Sequence, residues 1–296
     1  MVSQPTLSKI INTSRVKHIS PFRYPGGKTW LVPRIHQWLA SIPKPQYFVE
    51  PFAGGAIVGL TVAFEGLADK VILVEKDEQV ASVWNTIIND EGGAEWLAAR
   101  ISGFNLATET AQLVISDRPK NTRELAFQTI LQNRIKHGGI LAEGAGILKK
   151  GENGRGILSR WYPETLKRRI LAIGQNRERI RFVEGDGVEV IRQFTNEEGA
   201  IFFVDPPYTA SAKKAGTRLY KYHQLDHNVL FQTISQVKGD FLMTYDDAEE
   251  VHNMARRHHL KFKKIAMSNT HHATLNELLI GRDLTWLGSG KEKQRM

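Results

Sequence analysis

Residues 47–77 read YFVEPFAGGAIVGLTVAFEGLADKVILVEKD, and this stretch decides the fold. Tyr47–Val49 and Val71–Val74 are short apolar runs of β-favouring residues, each followed by an acid, Glu50 and Glu75. Between them, Ala56–Phe64 carries helical spacing, and Gly54-Gly55 supplies a tight turn at its start. Strand, turn, helix and strand in this order predict two parallel strands in a sheet wrapped by helices.

The alternation extends outward on both sides. Upstream, Phe22-Arg-Tyr-Pro-Gly-Gly-Lys28 is turn-rich and leads into a helical pattern over Leu31–Leu39. Downstream, Gln79–Ile88 is again helical. The pattern then stops for roughly 90 residues. It resumes with strands at Arg181–Val183, Ile201–Val204, Phe241–Thr244 and Leu278–Ile280. The expected fold is α/β and Rossmann-like, built from residues 1–95 and 182–296, with an inserted domain over 96–181.

Composition separates the two parts. Of 296 residues, 41% are hydrophobic and 24% charged, enough for a sizeable core. Lys and Arg number 40 against 31 Asp and Glu, a net charge of +9. From Arg118 to Arg181 there are 15 Lys and Arg against 5 Asp and Glu, so this segment alone carries +10. A basic module points to an acidic polymer, with nucleic acid foremost. Within it, Ile147–Leu158 reads as a hairpin turning at Asn153-Gly154 and decorated by Lys149, Lys150, Arg155 and Arg160. A two-stranded ribbon of this kind fits a major groove.

There is no cysteine, which excludes disulfides, thiolate metal sites and a thiolate nucleophile. Met1–Ser20 lacks the apolar core of a signal peptide, and no run approaches a membrane span. The expectation is a soluble cytoplasmic protein with no membrane partner. His258-His259 and His271-His272 match no metal-ligand spacing, so no metal is expected.

The chemistry concentrates in Asp205-Pro206-Pro207-Tyr208, directly after the run Ile201–Val204. Ligands of open α/β sheets sit at the carboxyl ends of strands. Two prolines stiffen the loop, which offers a carboxylate, the Pro206 carbonyl and an aromatic ring. Two acceptors and a stacking face suit a planar ring bearing an amino group. A second constellation is Val49–Gly55, where a strand runs into a glycine turn and a helix, and backbone can approach a ligand. Glu75 ends the next strand, the position at which an acid takes ribose hydroxyls. Gly27-Lys28-Thr29 is not a phosphate loop, since that motif needs Gly at position 22, which is Phe.

Tyr24–Lys28, Val49–Gly55, Glu75–Asp77 and Asp205–Tyr208, in that order, resemble the Dam-like, D12 class DNA adenine-N6 methyltransferases. The resemblance implies S-adenosylmethionine (SAM) as cofactor and double-stranded DNA as partner. It implies that Tyr24 and Lys28 hold the methionine end of the cofactor. Glu50, Phe52 and Gly54 would line it, Glu75 would take the ribose, Asp186 would lie near its adenine, and Asp205 would border it. Asp205, Pro206, Pro207 and Tyr208 become the catalytic loop for an adenine flipped out of the duplex. Trp84-Asn85 and Leu225-Asp226-His227 also match recurring family positions. The basic insertion takes the place of target recognition, with Asn133, Arg134, Lys149, Lys150, Asn153, Arg155 and Arg160 as candidate DNA contacts.

Carbon-5 cytosine methylation is excluded by the missing cysteine. Residues 133–146 reproduce only part of the stretch with which relatives read GATC, so the recognised sequence is left open. A restriction endonuclease acting separately on the same DNA is compatible with this reading. The alternatives are another methyl-accepting amine, in RNA adenine or cytosine N4, and a non-catalytic DNA-binding protein that retains the fold.

Overall fold

A computed structural model describes residues 16–23, 27–141, 145–151, 154–207, 225–268 and 274–288. Seven strands form one sheet: β1 (Tyr47–Glu50), β2 (Lys70–Glu75), β3 (Ile180–Glu184), β4 (Ala200–Val204), β5 (Phe241–Asp246), β6 (Lys261–Ser268) and β7 (Thr274–Gly281). Their spatial order is β3-β2-β1-β4-β5-β7-β6. The first five are parallel, and β7 runs antiparallel to both β5 and β6. The central register sets Val49 against Ile72 on one side and Phe202 on the other.

Alternation along each strand divides the core into two faces. Phe48, Val71, Leu73, Ile201, Phe203 and Leu242 point to one. Val49, Ile72, Val74, Phe202, Val204 and Met243 point to the other. The first face is covered by α1 (Val32–Ala40), α2 (Ile57–Glu65) and α3 (Glu78–Trp84), the second by α8 (Gly187–Gln193), α9 (His227–Ser235) and α10 (Glu249–Arg257). Helix α2 is apolar nearly all round and is buried almost throughout, as a helix between sheet and neighbours must be. Gly59 in it lies so close to the sheet that a Cβ would meet Glu50 Oε2 at 2.4 Å. The turn before α2 needs left-handed backbone at Gly54 (φ 48°) and, without glycine's freedom, at Ala56 (φ 52°).

Between α3 and β3 the chain forms a π-helical turn (Asn85–Asn89) and then α4 (Gly93–Ser102), α5 (Thr108–Ser116), α6 (Thr122–Ile135) and α7 (Pro163–Gln175). These helices do not enclose a core of their own. Leu97, Ile101, Ile130, Leu131 and Ile170 join Trp84, Ile87 and Val83 in the same cluster as the first sheet face. The insertion is a further layer on the sheet domain.

Two expectations are corrected here. The hairpin over Ile147–Leu158 does not form as a ladder among the described residues. Ile147 bridges to Lys136, Leu148 N–H donates to the Ile135 carbonyl at 2.8 Å, and Gly156–Arg160 is a 3-10 turn. The first Ile-Leu end is thus committed to the end of α6, and five glycines between 144 and 156 disfavour a second strand. The helix expected over Gln79–Ile88 is α only to Trp84, then π over Asn85–Asn89.

Candidate active site at the carboxyl ends of the strands

After β1 the chain builds outward through β2 and β3, and after β4 through β5 in the other direction. The crevice where the order reverses is where open α/β sheets place ligands. The strands end there in Glu50, Glu75, Glu184 and, one residue past β4, Asp205.

Asp205 is held from two sides. Thr244 of β5 donates its hydroxyl to Asp205 Oδ1 at 2.6 Å, and Lys28 Nζ lies 3.1 Å from the same oxygen. Lys28 opens the 3-10 turn Lys28–Leu31 ahead of α1, and its side chain is 4% exposed. It also pairs with Glu277 of β7 at 3.2 Å. A buried ammonium is tolerable only with such partners. Glu50 is buried and accepts the Gly59 N–H at 2.7 Å. Burial pushes its carboxyl well up, the Gly59 bond opposes this, and the charge of Asp205 adds to the rise. Pro206 is buried and Pro207 half-buried beside Asp205. Tyr208 and Tyr24 lie outside the described residues.

The glycine turn is tied to the end of β2. Gly54 N–H donates to Glu75 Oε2 at 2.9 Å, while Lys76 and Asp77 donate to Oε1 at 2.8 Å each. Burial raises the Glu75 carboxyl to about 7, against these amide bonds that favour its charged form. The indole of Trp84 donates to the Gly54 carbonyl at 2.9 Å and fixes the turn from the other side. Phe52 is half-buried and packs on the second core face. Asp186 caps α8 through Val188 N–H at 2.9 Å and pairs with Lys76 at 2.9 Å. Against the desolvation of its partial burial, these bonds hold its carboxyl below the usual range. Asn85 reaches Glu184 at 2.7 Å. Burial lowers the pKa of His227, whose Nδ1 lies 2.9 Å from the Tyr245 hydroxyl.

The donor set fits SAM. Lys28 offers a cation for a carboxylate, and the acids Asp205 and Glu277 beside it suit a neighbouring positive centre. A carboxylate has about four acceptor positions, so Glu75, with three taken, keeps one for a hydroxyl.

The structure brings together Lys28, Glu50, Gly54, Glu75, Asp186 and Asp205 at one sheet edge. It places the basic candidates differently. Lys149, Lys150 and Arg155 are exposed, and Arg160 is half-buried. Asn153 lies outside the described residues. Asn133 and Arg134 are turned inward, at 0% and 5% exposure, with their side chains on the backbone of Pro21–Arg23. As surface DNA contacts they are therefore corrected: both side chains are buried and donate to backbone carbonyls. Thr244 and Glu277 escape a reading by motif. The signal for Glu277 is a lone acid in the apolar run Leu275–Ile280.

Fold and site together define an α/β protein with a lysine and several acids gathered at the switch point of its sheet. Residues 24–126 match the family model of the D12 class N6 adenine-specific DNA methyltransferases, and the resemblance of the motifs holds over that stretch. No curated protein matches the chain. Among solved structures, a protein of Pyrococcus horikoshii proposed to be an RNA methyltransferase is similar at 11% identity and TM-score 0.38, covering 92% of this chain and 91% of that one. A precorrin-6y C5,15-methyltransferase of Geobacter metallireducens is similar at 8% identity and TM-score 0.38, covering 88% and 91%. A spermidine synthase of Thermotoga maritima is similar at 11% identity and TM-score 0.33, covering 93% and 60%. No helix among the described residues is long and apolar enough to cross a membrane.

Proposed function

We propose that this protein methylates the N6 amine of adenine in double-stranded DNA at specific sites. The adenine is flipped out of the duplex, and SAM is the donor. The observation that carries this reading is the fixed Asp205 carboxylate. It stands at the switch point on a Pro-Pro loop, held by Thr244 at 2.6 Å and Lys28 at 3.1 Å.

Flipping costs a few kcal/mol of stacking and pairing, which binding must supply. Asp205 and the Pro206 carbonyl accept the two amino hydrogens, which localises the nitrogen lone pair. Tyr208 stacks on the ring. When bound, SAM would supply the methyl group: the N–C bond forms as the S–C bond of its sulfonium breaks, leaving a neutral thioether. Lys28 binds its carboxylate and Glu75 one ribose hydroxyl. Asp186, two residues past the end of β3, borders its adenine. Alignment of the two reactants is worth roughly 7–11 kcal/mol in well-oriented systems. The amine becomes strongly acidic once methylated and gives up its proton then. Asp205, already hydrogen-bonded to it, is the first acceptor.

Lys149, Lys150, Arg155 and Arg160 provide phosphate or base-edge contacts from the loop after α6. The test is incubation with methyl-labelled SAM and unmethylated duplex DNA, followed by digestion to nucleosides. Label in N6-methyladenine, lost in Asp205→Ala, supports the reading. Label in RNA, in cytosine or nowhere overturns it.

A further inference from the structure

We infer that Asn133 and Arg134 are positioning residues for the cofactor lysine, acting through the backbone of Ser20–Arg23. This rests on the reading above that Lys28 belongs to the SAM site.

Helix α6 belongs to the insertion, yet its last turn grips the segment that leads to Lys28. Arg23 N–H donates to Asn133 Oδ1 at 2.8 Å, and Asn133 Nδ2 donates back to the Arg23 carbonyl at 2.9 Å. This closed pair imitates a β-bridge and fixes both sides of one residue. The second Nδ2 proton goes to the Gly139 carbonyl at 2.8 Å. One residue on, the Arg134 guanidinium donates to the Pro21 carbonyl. From α7, Arg169 donates to the Ser20 carbonyl at 3.0 Å. Three side chains of the insertion thus hold Ser20, Pro21 and Arg23.

Gly139 closes the clamp. Its φ is +76°, and a Cβ there would stand 2.2 Å from the Arg23 carbonyl oxygen. Phe22, between the clamped residues, packs on Trp84 with centroids 5.5 Å apart. Trp84 in turn holds the Gly54 carbonyl at 2.9 Å. Five residues from Arg23 reach at most about 17 Å, so fixing Arg23 restricts where Lys28 can stand. Burying an amide and a guanidinium is costly unless each is bonded. An apolar residue would pack the end of α6 without that cost, but it would not set the register of Arg23. The loop that carries Lys149 and Arg155 springs from the same helix end, through the Lys136–Ile147 bridge.

The test uses the full chain and three variants: Asn133→Ala, Gly139→Ala and Arg134→Met, with Arg134→Lys as the conservative partner. SAM affinity is measured by calorimetry without DNA. KM for SAM and kcat are measured at saturating DNA, and Tm records folding. Asn133→Ala removes three hydrogen bonds, two of them to Arg23, and should lower SAM affinity about tenfold or more. KM for SAM rises with it, while kcat at saturating SAM falls by less. Gly139→Ala behaves alike. Arg134→Lys recovers most of what Arg134→Met loses, because an ammonium still donates to the Pro21 carbonyl. A lower Tm or kcat with unchanged SAM affinity in all variants would show a merely structural role and overturn the inference. A wild-type chain that does not bind SAM overturns the cofactor reading and this inference together. Wild-type binding with unaltered variants overturns this inference alone.

Discussion

At the strand ends and in the loop after α6 the protein uses charge in two ways. Lys28, Asp205, Glu277 and Glu50 each have a named partner within 3.3 Å inside the protein. Lys149, Lys150 and Arg155 are exposed, and the backbone around them carries one isolated bridge and a 3-10 turn. The first arrangement is preorganised, as chemistry on fixed atoms requires. The second is solvated, as contacts with a phosphate backbone would require. Counting charge along the chain blurs this difference. Arg123 in the basic segment is spent on Asp90 at 2.6 Å, and Arg134 and Arg169 on buried carbonyls. The exposed surface of this segment is less basic than the sequence total of +10 between Arg118 and Arg181.

The contrast can be broken first at Asp205. Asp205→Ala should lower kcat/KM for methyl transfer by roughly 10²–10⁴, the range for loss of a positioned proton acceptor. A loss below tenfold would mean that the strand ends do not carry the chemistry. Thr244→Val removes only the 2.6 Å bond to Asp205. It should cost about tenfold in kcat, the worth of one buried bond to a charged group. An unchanged kcat would show Asp205 to be fixed by Lys28 alone.

A pH series sharpens the picture at Glu75, whose carboxyl lies at about 7. Ionised, it keeps an acceptor for a hydroxyl; protonated, it has a donor there instead. SAM affinity should therefore rise several-fold from pH 6 to pH 8, with its midpoint about 7, and be flat in Glu75→Gln when followed by calorimetry. The smallest effects belong to the loop. Lys149→Ala and Arg155→Ala should each weaken DNA binding a few-fold and reduce the slope of log affinity against log salt by about 0.9 per lost phosphate contact. At saturating DNA, kcat should not move. Were kcat to fall instead, the loop would belong to the preorganised part.

The same division decides what was legible in the sequence. β1, β2 and β4 stand out because buried parallel strands are continuous apolar runs. Strand β6 does not. Lys261-Phe-Lys-Lys-Ile265 is an edge strand with charges along it, and such strands leave a weak signal. The Asn153-Gly154 turn signal is local, but the partner of Ile147 is Lys136, which no local pattern reveals. In the site, the acids that end strands could be read from position. Thr244 could not, because its role depends on β5 lying beside β4, a long-range pairing. Asn133 and Arg134 read as polar surface, since residue type does not tell which face of α6 is covered.

The core shared by the insertion and the first face of the sheet limits how segments can be exchanged between related chains. A cassette cut at residues 96 and 181 would tear Leu97, Ile130 and Ile170 away from Trp84 and Ile87. A graft confined to residues 140–156 would touch that core through Leu141 and Ile147, which are partly buried against it. Recombination meets the same constraint: the helices of the insertion are inherited with the sheet on which they pack.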